Sequence, residues 1–425
     1  VKRYFLALGA LMTALAAFAI PATADQPVAA NQVAQAAPSP SPTPTPNPFQ
    51  ASGYLDTGYD MASVSGPGGA LLGRVFDNLS GVPQLNDVNI TAAYTGTIGA
   101  KVEINTGTDA DVMHSYPQSL FICSTPPNCP APLKIQADLT QAYASVSFSK
   151  FTLIAGKFET LAGAEVIESP SDLDFSRSIM FGQIPFTHTG ARLTFAATPT
   201  LSLIGGINRG WDTTRNLSSA DLAKFGLPAS YSDNSNLTIE AGLAYNPSSV
   251  WGLTVQGYDG QQESGILATC SSNTGCNRTL IDAVGTYHVT SALTAIVNVD
   301  SARQTNTCSS SFSSGTGPNC VFFGGTGVGT VNWAGTAGYL SYVWSPAVTT
   351  TVRSEIFGDP QGYRTGIGGT VWKESTFTLQ YAPATRLTLR GEYRVDSATQ
   401  PIFASTTKPT SAFGTVGFEA IVHYP

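Results

Sequence analysis

Leu387-Thr388-Leu389-Arg390-Gly391-Glu392-Tyr393-Arg394-Val395-Asp396 puts Leu389, Tyr393 and Val395 on one side of an extended chain and Thr388, Arg390, Glu392, Arg394 and Asp396 on the other. A strand of this kind has one face for an apolar neighbour and one for a polar, highly charged one. The same period recurs in Asn236–Tyr245, where Leu237, Ile239, Leu243 and Tyr245 alternate with Thr238 and Glu240. It recurs again where Arg353 and Glu355 alternate with Val352 and Ile356, and where Lys101, Glu103 and Asn105 alternate with Val102 and Ile104. Half-buried strands of water-soluble sheets alternate too, so the period alone does not choose the solvent of the apolar face.

Composition and connections make that choice. Only 12% of residues are charged while 42% are hydrophobic, and the charged share is about half that of an ordinary globular chain. A surface turned to lipid needs few charges. Strand-like segments of about ten residues come in pairs joined by tight turns at Thr95–Gly99, Ser149-Lys150, Ala197–Pro199, Asn246–Ser249, Val289–Ser291, Ser345–Ala347 and Ala382–Ala384. Long polar loops separate the pairs, near 62–86, 107–135, 159–185, 210–235, 260–278, 302–332, 358–371 and 396–411. Seven turns and eight loops join sixteen strands. Two length classes in strict alternation, with an even strand count, predict an all-β transmembrane antiparallel barrel of about 16 strands, with short periplasmic turns and long extracellular loops. Apolar residues then face lipid and charges face the lumen, since a charge on the lipid face at mid-bilayer costs up to about 2–4 kcal/mol. The net charge of −7 is spread out, with no basic stripe for phosphates, which argues against a nucleic-acid partner.

The N-terminal region fits the same destination. Lys2 and Arg3 precede an apolar run from Tyr4 to Ile20, and Ala22-Thr23-Ala24 follows, which predicts a signal peptide over 1–24. No later apolar stretch approaches the ~20 residues of a spanning helix. Residues 25–50 are low in complexity, with Pro recurring from Pro38 to Pro48, and read as an extended periplasmic linker. The barrel is expected over 51–425. The six cysteines form three close pairs, Cys123/Cys129, Cys270/Cys276 and Cys308/Cys320, all in predicted outer loops. A disulfide within each pair is the expectation, although six cysteines allow 15 pairings. Their spacings and the four His argue against a metal site, and no cofactor is expected.

The last strand, Thr415 to Tyr424, carries Phe418, Ala420, Val422 and Tyr424 on one face and resembles the C-terminal assembly signal of outer-membrane barrels, departing from it in Pro425. Tyr54, Tyr59, Trp211, Trp251, Trp333, Trp344 and Trp372 fall near predicted strand ends, where aromatic girdles sit. From Gly53-Tyr54-Leu55-Asp56 onward, through Gln141-Ala142-Tyr143 and Gly156-Lys157-Phe158, the chain resembles the OmpL-like β-barrel porin family. The similarity is strongest in Gly163-Ala164-Glu165-Val166, Phe175-Ser176-Arg177-Ser178 and Pro185-Phe186-Thr187-His188-Thr189-Gly190. Membership would imply an outer-membrane channel without naming a solute.

The third loop differs in composition from the others. Glu159, Glu165, Glu168, Asp172, Asp174 and Arg177 stand among apolar residues with little Gly/Ser padding, and the expectation is a loop folded inward to narrow the pore. Its acids would face a basic wall of Arg192, Arg353, Arg390 and Arg394, within a charged lining that also holds Lys101, Glu103, Glu240, Glu355 and Glu392. The blander possibility is that these carboxylates merely pin the loop to the wall. The expected function is passive diffusion of small hydrophilic solutes or ions through the outer membrane, with lipid and lipopolysaccharide around the barrel. A homotrimer is compatible with a barrel of this size. The competing readings are a plugged structural or adhesive barrel and a barrel-bound hydrolase. Sixteen strands ordinarily leave a channel. A hydrolase would need a nucleophile and a base. His188 is the one candidate base, and no Gly-x-Ser-x-Gly elbow accompanies it, so no catalytic residue is assigned and no enzyme is expected.

Overall fold

The computed structural model describes residues 48–113, 137–212, 237–261, 277–309, 327–403 and 409–424. Its strands are β1 (Phe49–Ala62), β2 (Gln84–Tyr94), β3 (Ile98–Thr106), β4 (Ala137–Phe148), β5 (Phe151–Glu159) and β6 (Thr187–Thr198). There follow β7 (Leu201–Asn208), β8 (Thr238–Tyr245), β9 (Trp251–Gln261), β10 (Asn277–His288) and β11 (Leu293–Ser309). The last five are β12 (Gly327–Ser345), β13 (Val348–Gly358), β14 (Val371–Ala384), β15 (Leu387–Ala398) and β16 (Ala412–Tyr424). Each strand pairs antiparallel with its sequence neighbours, and β1 pairs with β16 to close a sixteen-strand barrel. Closure satisfies every edge, as a sheet in lipid requires. The expected fold and strand number are borne out. A short helix, α1 (Thr108–Met113), follows β3.

The dyad pattern explains the two surfaces. Outside, Ile90, Ile98, Val102, Val352, Phe377, Tyr393 and Phe418 stand exposed, as a lipid-facing band does. Inside, Arg353, Glu374, Arg390, Glu392, Arg394 and Glu419 are buried. The strand pattern of Leu387–Asp396 holds residue by residue, with Leu389 and Tyr393 exposed and Arg390, Glu392, Arg394 and Asp396 buried.

Three expectations need correction. The last residues of the expected linker 25–50 belong to the barrel, because β1 already begins at Phe49, and Thr95 N–H donates to the Pro48 carbonyl at 2.8 Å. The aromatic girdle is drawn from other residues than expected. Tyr54, Trp211, Trp333 and Trp372 turn inward and are buried, whereas Trp251 and Trp344 stay outside. The outward ring lies at the short-turn end, built from Tyr94, Phe148, Tyr245, Trp251, Tyr287, Trp344 and Tyr381. There Phe151 stacks on Phe148 and Phe195, and Tyr245 meets Trp251 edge-on. Finally, the lumen is not polar throughout. Leu280, Ala302, Val331, Trp333, Ala337 and Phe357 face inward from β10–β13 and join loop residues Ile179, Met180, Phe181, Ile184 and Phe186 in one apolar cluster. An inward loop carrying apolar side chains must bury them, so the wall it meets is apolar. Toward the short-turn end the inward positions revert to half-buried Ser147, Thr152, Thr194, Thr286 and Thr388.

The expected signal peptide, most of the expected linker and, of the expected disulfides, Cys123, Cys129, Cys270, Cys276 and Cys320 lie outside the described residues. Cys308 belongs to β11, but its side chain also lies outside them.

Candidate functional site

Residues 160–186 leave β5, enter the barrel and return to β6 with only two 3-10 turns, Ser169–Ser171 and Phe181–Gln183. A segment of that length without regular structure leaves its backbone amides and carbonyls without partners, and burying them bare would be costly. Charged side chains of the wall replace the missing ladder. Glu392 accepts from the N–H groups of Phe175 (2.9 Å) and Ser176 (3.1 Å), and Glu355 from that of Ile179 (2.8 Å). Arg390 donates to the carbonyls of Ser169 (3.0 Å) and Asp172 (2.6 Å), Arg353 to that of Ser176 (2.6 Å) and Arg394 to that of Arg177 (2.5 Å).

Side chains of the loop complete the attachment. Arg353, which has no exposed surface, pairs with Glu165 and Glu374 at 2.7 Å each and with Asp174 at 3.5 Å. Asp174 also accepts from Thr378 at 2.6 Å. Glu165 turns back to accept from the N–H and hydroxyl of Ser178. Arg177 ties the loop to itself: it pairs with Asp172 at 2.8 Å and donates to the carbonyls of Val166, Ile167 and Phe175. Its guanidinium lies over Phe76 and Phe181, and these rings cluster with Phe186. Burial pushes the carboxyls of Asp172 and Asp174 up to about 7 from 3.8, with Arg177 and Arg353 respectively opposing the rise.

The expected loop set is thus split. Glu165, Asp172, Asp174 and Arg177 form the attachment to β13–β15. Glu159 is the last residue of β5, and with Glu168 it meets Glu103 of β3, the three carboxylates lying within 4.8 Å of one another. That trio could hold a cation, and Lys101 already pairs with Glu103 at 2.8 Å. Gln141 donates to both Glu103 (2.9 Å) and Glu159 (2.6 Å). Burial, then the Glu103 charge, raises Glu168 to about 7.

The expected basic wall is also divided. Arg353, Arg390 and Arg394 reach the loop, but Arg192 stands apart, paired with Glu240 at 2.8 Å and stacked 4.3 Å from the Phe158 ring centroid. Arg192 touches the loop's root only, at the Glu159 carbonyl. The same Glu240 Oε1 also accepts from Gln256 and Tyr258. His188 stacks on Tyr258 at 4.5 Å and its Nδ1 lies 3.0 Å from the Gly210 carbonyl, so the ring serves packing.

Sequence reasoning missed the seats. A Cβ at Gly58 or Gly417 would lie 2.7 or 2.9 Å from the Phe175 ring, and one at Gly335 would lie 2.7 Å from Met180. Glycine at an inward strand position marks the close approach of another group. The available signal was a gap in the charged face: Gly417 sits between inward Thr415 and Glu419.

Comparison with curated protein sequences gives no match. Solved structures resemble the barrel at low identity. The outer-membrane channel DcaP of Acinetobacter baumannii has a TM-score of 0.54 at 10% identity, with 88% of this chain and 97% of that one covered. The anion-selective porin from Comamonas acidovorans scores 0.52 at 9% identity, covering 88% and 99%. OmpT of Vibrio cholerae scores 0.51 at 10%, covering 88% and 97%. These likenesses establish the fold. The family is established by the sequence itself: residues 48–424 match the description "Putative beta-barrel porin-2, OmpL-like", and the chain belongs to that family of outer-membrane porins.

Proposed function

We propose that the barrel passes small hydrophilic solutes or ions by passive diffusion, and that the loop 160–186 is its constriction, held in place by pinning. The two roles first set against each other are one arrangement. The observation that carries the reading is the set of hydrogen bonds between loop backbone and the charged wall side chains Glu392, Glu355, Arg353, Arg390 and Arg394. It supports a stationary segment across the lumen rather than a swinging lid. Because the acids and arginines neutralise one another there, the constriction selects chiefly by size, and charge selection falls to the lining elsewhere. No bond-making step is assigned to the site. Assembly as a homotrimer belongs to the same reading and is checked by cross-linking in the membrane before extraction.

Single-channel recording of the refolded protein in a planar bilayer, with reversal potential across a salt gradient, tests the function. Stable ohmic steps are expected. Silence from a verified folded barrel would overturn the diffusion reading in favour of a plugged structural barrel, which the apolar cluster inside the outer half would then explain.

A further inference from the structure

We propose that a cavity at the long-loop end of the barrel binds a small organic monocarboxylate with a flat apolar body, its carboxylate held by Arg364. The cavity, of about 340 Å³, lies between Gly73–Val75 of the first loop, Gly182, Gln183 and Phe186 of the third, Arg364 and Thr365 of the seventh, and Trp372 at the start of β14. That volume is at the lower end of small-molecule sites, which are largely apolar with a few placed polar groups. Val75, Val112, Phe186 and Trp372 supply the apolar walls, and Arg364, Gln183 and Thr365 the polar side.

Arg364 meets no carboxylate directly among the described residues. Its Nε donates to Gln183 at 3.0 Å and one terminal nitrogen to the Gly182 carbonyl at 3.2 Å, both neutral acceptors. Among the described residues it makes no ion pair, and neither does Arg278 of β10. The two share one aromatic box. The Arg364 guanidinium lies 5.7 and 5.6 Å from the ring centroids of Trp211 and Trp333, and that of Arg278 lies 4.7 and 5.8 Å from the same rings. Indole faces attract each cation without neutralising it. The nearby acids Asp212 and Asp359 attract Arg364 at longer range without pairing with it. Asp359 accepts from the N–H groups of Tyr363, Arg364 and Thr365, and Asp212 from those of Phe186 and Thr187. Burial, and then the Arg278 charge, lowers the Arg364 guanidinium to about 10, so an anion arriving there relieves a like-charge repulsion.

Two further observations narrow the ligand. The Trp372 indole, whose buried N–H has no acceptor among the described residues, lends the cavity a flat apolar face. Arg74, the other cation of the lining, is neutralised by Asp77 and Asp396. One guanidinium without a direct ion pair calls for one carboxylate, for which its fork geometry is suited. Arg278 does not line the cavity and acts as a positioning residue through the shared rings.

The inference builds on the channel reading, since capture at the outer mouth raises the local concentration of a solute about to cross. Its test needs no current. Isothermal titration calorimetry on the full-length folded protein in detergent would use benzoate, its neutral isostere benzamide, and inorganic phosphate. Benzoate is expected to saturate a single site, with benzamide at least tenfold weaker and phosphate not saturating. Arg364→Gln should lower benzoate affinity at least tenfold, to the benzamide level. Arg278→Gln should lower the benzoate-to-benzamide ratio severalfold while leaving benzamide unchanged, and Arg278→Lys should restore it. Equal affinity for benzoate and benzamide, phosphate binding as tight as benzoate, absence of benzoate binding, or wild-type affinity in Arg364→Gln would each overturn the proposal. Should Arg364→Gln fail to fold, the wild-type ratio of benzoate to benzamide decides alone. Conductance without benzoate tests the channel reading separately.

Discussion

The β13–β16 wall and the β6–β11 wall face the same loop and hold it in different ways. On the first, three arginines and two glutamates bond its backbone directly. On the second, beside apolar packing, the loop backbone is met by neutral groups: Tyr258 accepts from Leu161 N–H at 3.2 Å and Asn298 from Ala164 N–H at 3.2 Å, while Arg192 and Glu240 serve one another. The difference teaches that a charged wall need not present its charge to a solute. Where the loop lies, the same residue types that could form a selectivity ring act as hydrogen-bond partners for a segment lacking secondary structure. Where it does not, they pair across neighbouring strands and stay part of the lining.

The sharpest way to break this comparison is to remove Arg353. Arg353→Gln leaves Glu165, Asp174 and Glu374 without their shared cation, and losing one partner of a buried ionic cluster costs about 3–5 kcal/mol. The loop should detach, with larger and noisier single-channel steps and faster proteolysis within 160–186. Quiet wild-type steps from a folded variant would show that the loop is held by its apolar side alone.

Gly417→Val sharpens the comparison without removing a charge, its Cβ pressing on the Phe175 ring and on Asp60 Oδ1. Overpacking against Phe175 costs about 1–3 kcal/mol, so loop noise should rise less than in Arg353→Gln, with a lowered thermal midpoint. Unaltered conductance and stability would mean that the Phe175 seat is unimportant.

Arg192→Gln probes the other wall. Because Arg192 meets the loop only at the Glu159 carbonyl, the steps should stay quiet while the reversal potential shifts, as Glu240 loses its partner. Noise equal to that of Arg353→Gln would erase the distinction between the walls.

The smallest effect is expected from pH. Asp172 and Asp174 have ordinary values of 3.8 and lie near 7 in the folded loop. The folded state therefore binds protons more tightly, and loop packing loses stability as pH rises from about 4 through about 7. Gating noise should increase from pH 5 to pH 8, and Asp174→Asn should flatten part of that rise. A profile running the other way would show that the charged carboxylates hold the loop.

Much of this was legible in the chain. The alternation in Leu387–Asp396 and the two classes of connection yielded the barrel and its sixteen strands, because a period of two and a turn of two residues are local properties. The unusual third loop was legible as well, from acids set among apolar residues with little Gly/Ser padding. What was not legible is which wall it would meet. Trp333 and Trp372 read as girdle residues because strand ends look alike from either face, and only a one-residue phase separates lipid from lumen. Arg192 read as a companion of Arg353 because both are inward arginines, yet they stand on different walls.

By itself, then, the sequence determined the barrel, its strand number and the inward sense of its charges, since each follows from nearest-neighbour geometry along the chain. The tertiary structure alone decided that Arg353, Arg390 and Arg394 are spent on the loop, that Gly58 and Gly417 seat Phe175, and that Arg364 makes no ion pair among the described residues. Those facts join residues well over a hundred positions apart, and only closure of the barrel brings them within a hydrogen bond's reach.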